Sequence, residues 1–458
     1  MKTYDVTKKR ILFLGINFKP ELTGIGKYTG EMADWLVSHD YECNVVTSFP
    51  YYPDWKVQKP YRGLFYKKER DKRERLCIYR CPLYVPKQPS GLKRILQEMT
   101  FFFTSFFVIC WLLFKPAHDR IFCMAPPFHL AFLAMFYRFF KGGKIIYHVQ
   151  DLQIEAARDL KVIKVQAVFK LLFALEKFIM KRVDFISTIS TGMRSKIETK
   201  IERKVLLFPN WVDTNSFYPL EDKAFLRSKW GFLPEEKLVL YSGSIGEKQG
   251  LESLITIADG LRNNTQIKFI ICGNGPYKDK LMNLVTERIL PNFLFLPLQP
   301  LSLFNELLNI ADVHLILQKR NACDLVMPSK LSPILSVGGL ALITAETDSS
   351  LCQLINQYAM GVVISCENEG LLGKAILHCC EQDYSAMNSN GRSYAEKFLN
   401  RDFVIEQMML QVQAPDVKEE IAVIDEPPIS YRPVQSTYVQ HASANANAID
   451  MSKLNQVK

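Results

Sequence analysis

The chain offers little from which to build a membrane span, a zinc site or a disulfide framework. Its uncharged stretch from Phe101 to Phe114 is fourteen residues long, against the roughly 20 that a spanning helix needs. An interfacial, re-entrant or buried segment is expected there. The eleven cysteines are scattered. Outside the adjacent Cys379 and Cys380 the only close pair is Cys77 and Cys81, with no second pair to complete a zinc set. Reduced, mostly buried thiols and a cytoplasmic location are the expectation from that usage. No repeat of the solenoid kind is visible, and no recognisable nucleic-acid-binding module. Near the start, basic residues precede only six apolar positions, Ile11 to Ile16, without a small-residue cleavage site. These read as a first strand rather than a signal peptide.

Positive charge is present, and it is unevenly placed. Lys and Arg number 57 against 47 Asp and Glu, a net charge of +10. Residues 56 to 94 hold thirteen of the cations, Lys56 through Arg94, against Glu69, Asp71 and Glu74, an excess equal to that of the whole chain. Such a run reads as a solvated surface or, when apolar segments follow, as a contact for anionic lipid. Apolar and aromatic residues do follow, in Phe101 to Phe114, in Ala125 to Phe140 and in Lys161 to Arg182. The last of these also carries Lys161, Lys164, Lys170, Lys177, Lys181 and Arg182. Each segment by itself fits an ordinary helix on a sheet. Together with the basic run they favour a peripheral surface at the cytoplasmic face of the inner membrane, and no nucleic acid as partner.

At 458 residues and 48% hydrophobic composition, the chain exceeds one ordinary core and fits two domains. Strand-like runs alternate with helix-period stretches in both halves, the first series from Ile11 to Phe208 and the second from Leu238 to Ile364. That alternation predicts an α/β fold with two parallel sheets covered by helices. The turn-rich Pro209 to Asp213 marks the linker, giving domains at 1–210 and 211–413. Residues 414–458, with Pro415, Pro427, Pro428, Pro433 and the HASANANA stretch, are expected to form a disordered tail.

Three segments of the second half look like one phosphate-binding wall, and the first two stand where open α/β sheets place ligands. They are SGSIGEKQG (Ser242 to Gly250), CGNGP (Cys272 to Pro276) and MPSKL (Met327 to Leu331). Gly243, Ser244, Gly273, Asn274 and Gly275 let backbone approach an anion, helix N-termini add N–H groups, and Lys248 and Lys330 add charge. Ser329 precedes the last lysine, and Lys319, Arg320 and Asp324 belong to the adjoining loop. A diphosphate suits such a wall. In the first half, Thr23, Gly24 and Gly26 of LTGIGKY lie between strand and helix. The third glycine and the later acidic residue of a dinucleotide site are missing, so a loop facing an acceptor or the reacting sugar is the better reading. Asp151 follows a predicted strand, either facing the cleft to position sugar hydroxyls or capping a helix. Glu155 is a candidate acceptor-side carboxylate, and His148 reads as a packed strand residue.

PELTGIGKYTGEM, FPYYPDW, LYSGSIGEKQGLE, LPLQP, LQKR and PSKL occur in that order. With these six segments, residues 10 to 412 resemble the family 4 glycosyltransferases, and more closely the colanic acid biosynthesis glycosyltransferase group. The resemblance implies the GT-B fold, two facing Rossmann-like domains, an amino domain for the acceptor and a carboxyl domain for a nucleotide sugar. It further implies retaining transfer without a bound metal or cofactor. Fucose from a guanosine diphosphate donor would pass to a lipid-linked saccharide in exopolysaccharide assembly. Lys248 falls at the family's phosphate-binding lysine, and Gly273 and Gly275 at its nucleotide loop.

The chain departs from the family pattern at three places. Leu325 and Pro333 stand where many members have two glutamates, with Asp324 the nearest carboxylate. Ser244 replaces an arginine, and Gln150 replaces a histidine before Asp151. Phosphate charge is therefore expected to fall to Lys248 and Lys330, aided by Lys319 or Arg320. Asp151, Lys248 and Lys330 are the catalytic assignments. The acceptor proton is expected to pass to the leaving diphosphate oxygen. Three alternatives stay open: a uridine diphosphate sugar as donor, a degenerate, non-catalytic partner in a polysaccharide assembly complex, and an epimerase or phosphorylase on the same fold.

Overall fold

The computed structural model describes residues 9–21, 24–63, 65–71, 74–159, 166–319 and 328–413. Contacts divide the chain into two units. The first runs to Asp213 and takes up the chain again from Phe398; the second occupies Thr214 to Lys397, except that Pro328 and Ser329 group with the first. The tail expected at 414–458 lies outside the described residues.

In the first unit, β1 (Arg10–Leu14), β2 (Glu42–Ser48), β3 (Lys67–Arg70), β4 (Leu76–Cys81), β5 (Arg120–Ala125), β6 (Lys144–Val149), β7 (Phe185–Thr188) and β8 (Leu206–Leu207) form one sheet. Its order is β3-β4-β2-β1-β5-β6-β7-β8, and every neighbouring pair is parallel except β3 with β4. The central strand shows why. Leu12 and Leu14 enter one apolar cluster and Ile11 and Phe13 the other, so β1 is buried on both faces. A sheet of such strands needs helices on both sides. Helices Gly91–Leu112, Leu130–Lys141, Gln166–Arg182 and Thr191–Ile201 cover the first face, and Gly24–Ser38 and Arg401–Gln413 the second. The last helix buries Val404, Ile405, Met408 and Met409 there. Its start is held by a parallel bridge between Val212 and Asn400 and by Arg401 Nη1 at 3.0 Å from Asp213 Oδ2.

The basic stretch is not uniformly a solvated surface. Its middle is the β3–β4 hairpin, whose alternation is masked by charged residues, and it inserts Arg80 into the unit at 2% exposure. Arg80 pairs with Glu69 at 2.8 Å and donates to the Ser48 and Lys19 carbonyls at 3.3 and 2.7 Å. A buried guanidinium is tolerated because these partners meet its donors. All ten described cysteines are free thiols, and all but Cys110 are buried.

The uncharged stretch from Phe101 belongs to a longer element. The helix Gly91–Leu112 has 22 residues, a length and composition sufficient to cross a membrane. Phe101, Ser105, Ile109 and Leu112 form its buried face. Leu92, Leu96, Phe103 and Phe107 follow the helical period on the opposite face and are exposed. The 125–140 segment begins as strand end and loop and becomes helical only at Leu130, after Pro126 and Pro127.

In the second unit, β9 (Lys237–Ser242), β10 (Ile267–Cys272), β11 (Phe293–Leu296), β12 (Val313–Ile316), β13 (Ala341–Thr344) and β14 (Val362–Ile364) form a wholly parallel sheet, ordered β11-β10-β9-β12-β13-β14. Counted within the unit, this is third, second, first, fourth, fifth, sixth. The first sheet repeats it once the two edge strands, β3 and β8, are set aside. Each sheet therefore reverses direction beside its own first strand, between β1 and β5 and between β9 and β12. Ligands of open α/β sheets bind beyond the carboxyl ends of such strands.

Candidate diphosphate site

Two strand-to-helix loops meet backbone to backbone at the carboxyl edge of the second sheet. Gly243 N–H donates to the Cys272 carbonyl at 2.9 Å, Ile245 N–H to the Asn274 carbonyl at 2.9 Å, and Tyr277 N–H back to the Ile245 carbonyl at 3.3 Å. That approach leaves no room for side chains. A Cβ at Gly273 would fall on the Gly243 carbonyl oxygen, and one at Gly275 on the Ile245 carbonyl oxygen. Gly243 itself has φ +140°. The glycines predicted to line a wall are thus brought together, and each is required by contact or conformation. Asn274 and Ser244 are exposed beside them.

Lys330 enters the same place from the start of the helix Leu331–Ser336. Its Nζ stands 3.7 Å from the centre of the Tyr241 ring, and a Cβ on Gly243 would lie 3.2 Å from it. Tyr241, fully buried on β9, donates its hydroxyl to the Ser244 carbonyl at 2.7 Å and so fixes the loop that faces the lysine. Among the described residues no carboxylate pairs with Lys330. Burial pushes its ammonium down to about 7, and the aromatic face offsets only part of that cost.

Lys319, just beyond β12, lies against the end of the first loop, 3.6 Å from where a Cβ on Gly250 would stand. Gly250 has φ +63° and closes the single turn Glu247–Gln249. The Lys248 side chain, Arg320, Asp324, Leu325 and Thr23 lie outside the described residues. Ser329 is exposed, and its contacts group it with the first unit. It does not cap the following helix, whose N-cap position is Lys330 and has no side-chain cap. Pro333 lies within that helix. Tyr241 was not recognised as part of the site from sequence, because it sits in a run that reads only as a buried strand.

The first unit holds the remaining predicted residues. Gly24, φ +63°, opens the helix Gly24–Ser38 in open space, whereas Gly26 is packed, its would-be Cβ 2.8 Å from Glu21 Oε2. Glu21, 3% exposed, accepts from the backbone N–H groups of Tyr51 and Tyr52 at 3.0 Å each and from Asn17 Nδ2 at 2.9 Å. Burial raises its carboxyl even so. Two of the segments that carried the resemblance, around Glu21 and around Tyr51, are therefore one structure. Asp151 is half-buried between β6 and the helix Gln153–Asp159. His148 is buried beside Ser187, Nδ1 to Oγ 3.0 Å, and burial holds its imidazole down at about 3. Glu155 is drawn into an ion pair with Lys200, which also holds Glu176 at 3.1 Å.

Residues 222–397 match the family of glycosyl transferases group 1. Among solved structures, a sucrose-phosphate synthase from Thermosynechococcus elongatus superposes with a TM-score of 0.69 at 14% identity, over 89% of this chain and 98% of that one. Anabaena Alr3699/HepE in complex with UDP-glucose does so at 0.63 and 13%, over 88% and 99%. These likenesses give the fold, that of the GT-B glycosyltransferases. An Escherichia coli (strain K12) protein, WcaI, named as a colanic acid biosynthesis glycosyl transferase, is 39% identical over 414 residues, 88% of this chain and 100% of that protein. With identity sustained over the whole of that relative, this chain belongs to the group 1 glycosyl transferases.

Proposed function

We propose that the chain moves a sugar from a nucleoside diphosphate donor to a lipid-linked saccharide in the assembly of an exopolysaccharide of the colanic acid type. Fucose from a guanosine diphosphate donor is the first candidate. The observation that carries this reading is Lys330, desolvated over Tyr241 beside the packed glycines and without a carboxylate partner among the described residues. A leaving diphosphate gains charge as the bond from the sugar to its oxygen breaks, and a fixed ammonium stabilises that charge most where it is preorganised. In a retaining transfer the acceptor oxygen bonds the same face of the anomeric carbon, and its proton passes to the departing diphosphate oxygen. Lys248 and Lys319 are the further cations assigned to the donor, with Asp151, Gly24 and Gly26 on the acceptor side. A uridine diphosphate sugar is the second reading, supported by the UDP-glucose complex of the Anabaena neighbour.

The exposed aromatic stripe of helix Gly91–Leu112, with Phe139 and Phe140 exposed at the end of helix Leu130–Lys141, supports peripheral attachment to the cytoplasmic leaflet. Lys93 is exposed on the first of these helices, Lys115 lies 4.5 Å from the centre of the Trp111 ring, and Lys141 follows Phe140 in the chain; these cations suit anionic headgroups. The test of function is release of nucleoside diphosphate from a panel of nucleotide sugars, with and without membrane extract. Extract-dependent release from a guanosine diphosphate sugar supports the first reading, and from a uridine diphosphate sugar the second. Nucleotide binding without transfer to any acceptor would overturn both.

A further inference from the structure

The carboxyl edge of the first sheet gathers polar groups that the diphosphate site does not use. Glu98, on the helix Gly91–Leu112, accepts from Gln153 Nε2 at 2.7 Å. Gln153 begins the helix that follows β6, and His129 stands just before the helix that follows β5. The His129 ring lies 5.4 Å from Phe102 and 5.6 Å from Phe128. From the loop after β2, Trp55 lies under the Arg94 guanidinium at 4.9 Å and against the Tyr51 ring at 5.7 Å. These groups come from the loops after β2, β5 and β6 and from the helix packed on β2 and β4, strands on either side of the point where this sheet reverses direction.

Two buried atoms in the cluster, Gln153 Oε1 and His129 Nε2, have no hydrogen-bond partner among the described residues, nor has Gln97 Nε2, on the residue next to Glu98 in the same helix. Gln97 and His129 are more than nine-tenths buried. Leaving such groups unmet is unfavourable, so the cluster suits a ligand that both donates and accepts. Its charges, Glu98 and Glu21 against Arg94, give no surplus of cations to hold a diphosphate. Two of its walls are aromatic. A neutral polyol satisfies all of these conditions.

We propose that Glu98, Gln153, Gln97 and His129 form the subsite that binds the saccharide ring of the acceptor, with Glu98 taking a hydrogen bond from a ring hydroxyl and Trp55 and Tyr52 forming its apolar side. This rests on the transferase reading above and adds the residues and the ligand class on the acceptor side. Glu98 is a positioning residue here. Burial pushes its carboxyl up to about 7 against the opposing pull of Gln153 and Arg94, so its accepting power grows as pH rises through neutrality. The other titratable groups facing the cluster are Tyr51 and Tyr52 from the β2 loop, Glu21 from the β1 loop and His129, whose imidazole burial holds down at about 4.

The test is saturation-transfer NMR on the full chain with octyl glucoside, octyl galactoside and octyl fucoside below their micelle concentrations, reading sugar-ring protons separately from chain protons. Wild type is expected to show ring signals with at least one sugar, stronger at pH 8 than at pH 6. Glu98→Ala weakens them at least tenfold. Glu98→Gln, nearly isosteric and folded where alanine is not, weakens them less and removes the pH dependence. Both variants keep wild-type calorimetric binding of GDP and UDP. Ring signals unchanged in both variants, or absent from wild type while nucleotide still binds, would overturn the subsite. Failure of wild type to bind any nucleotide would instead overturn the transferase reading.

Discussion

At the carboxyl edge of the second sheet the loops are glycine-rich and carry lysine; at the same edge of the first they carry carboxylates, amides and aromatic rings. The strand order beneath is the same in both. In the second unit Gly243, Gly273 and Gly275 let main chain touch main chain, and Lys330 has no carboxylate partner among the described residues, a setting for phosphate. In the first unit Gly26 makes room for a buried Glu21 and Glu98 faces Gln153, a setting for hydroxyls. One scaffold thus supports opposite ligand chemistry, because the loops beyond the strands are free of the packing that fixes the strands themselves.

The comparison breaks most severely at the glycines. Gly273→Ala places a methyl group on the Gly243 carbonyl and is expected to cost at least about 3 kcal/mol in the second unit, with loss of nucleotide binding seen by calorimetry. Gly24→Ala in the first unit, with nothing within 4 Å but φ +63°, costs only about 1 kcal/mol. A second contrast concerns the surface. Phe103→Ser with Phe107→Ser removes two exposed rings, at 62% and 65% exposure, and is expected to weaken sedimentation with anionic vesicles about tenfold or more. Unchanged vesicle binding would remove the membrane reading.

Smaller effects distinguish the two edges by protons. At pH 8 Lys330, held near 7 by burial, is mostly neutral, and a bound diphosphate restores its charge. Binding of UDP-glucose or GDP-fucose should therefore take up close to one proton at pH 8 and almost none near pH 5.5, measured by calorimetry in buffers of different ionisation enthalpy. Lys330→Ala abolishes the uptake. Glu98 behaves in the opposite sense. Its raised carboxyl keeps a proton in the folded state after the unfolded chain has released it, so stability falls as pH rises from about 4.5 to about 7. Glu98→Gln is expected to raise the unfolding temperature above wild type at pH 8, and to leave it unchanged near pH 4.

Much of the second unit was legible in the sequence, because its strands are apolar runs ended by glycine, and glycine at that position has a backbone meaning. LVLY before SGSIG and IKFIIC before CGNGP place the loops without further information. Lys330 was legible as charge but not as a desolvated cation, since its setting depends on Tyr241, 89 residues earlier in the chain. The first unit was less legible. The β3–β4 hairpin is hidden among lysines and arginines, and Arg80 is buried against that composition. Glu98 escaped notice because a single carboxylate in a basic, apolar helix reads as surface. Only the packing of that helix against β2, β4 and the helix Leu130–Lys141 brings it to Gln153.

The most direct test is calorimetric titration of GDP and UDP into wild type, Lys330→Ala and Glu98→Gln. Loss of the charged partner in the second unit should weaken nucleotide binding by about tenfold to a hundredfold, while the first-unit variant binds as wild type does. Equal affinity in wild type and Lys330→Ala, or a loss in Glu98→Gln as large as in Lys330→Ala, would contradict the assignment of the diphosphate to the second sheet's edge.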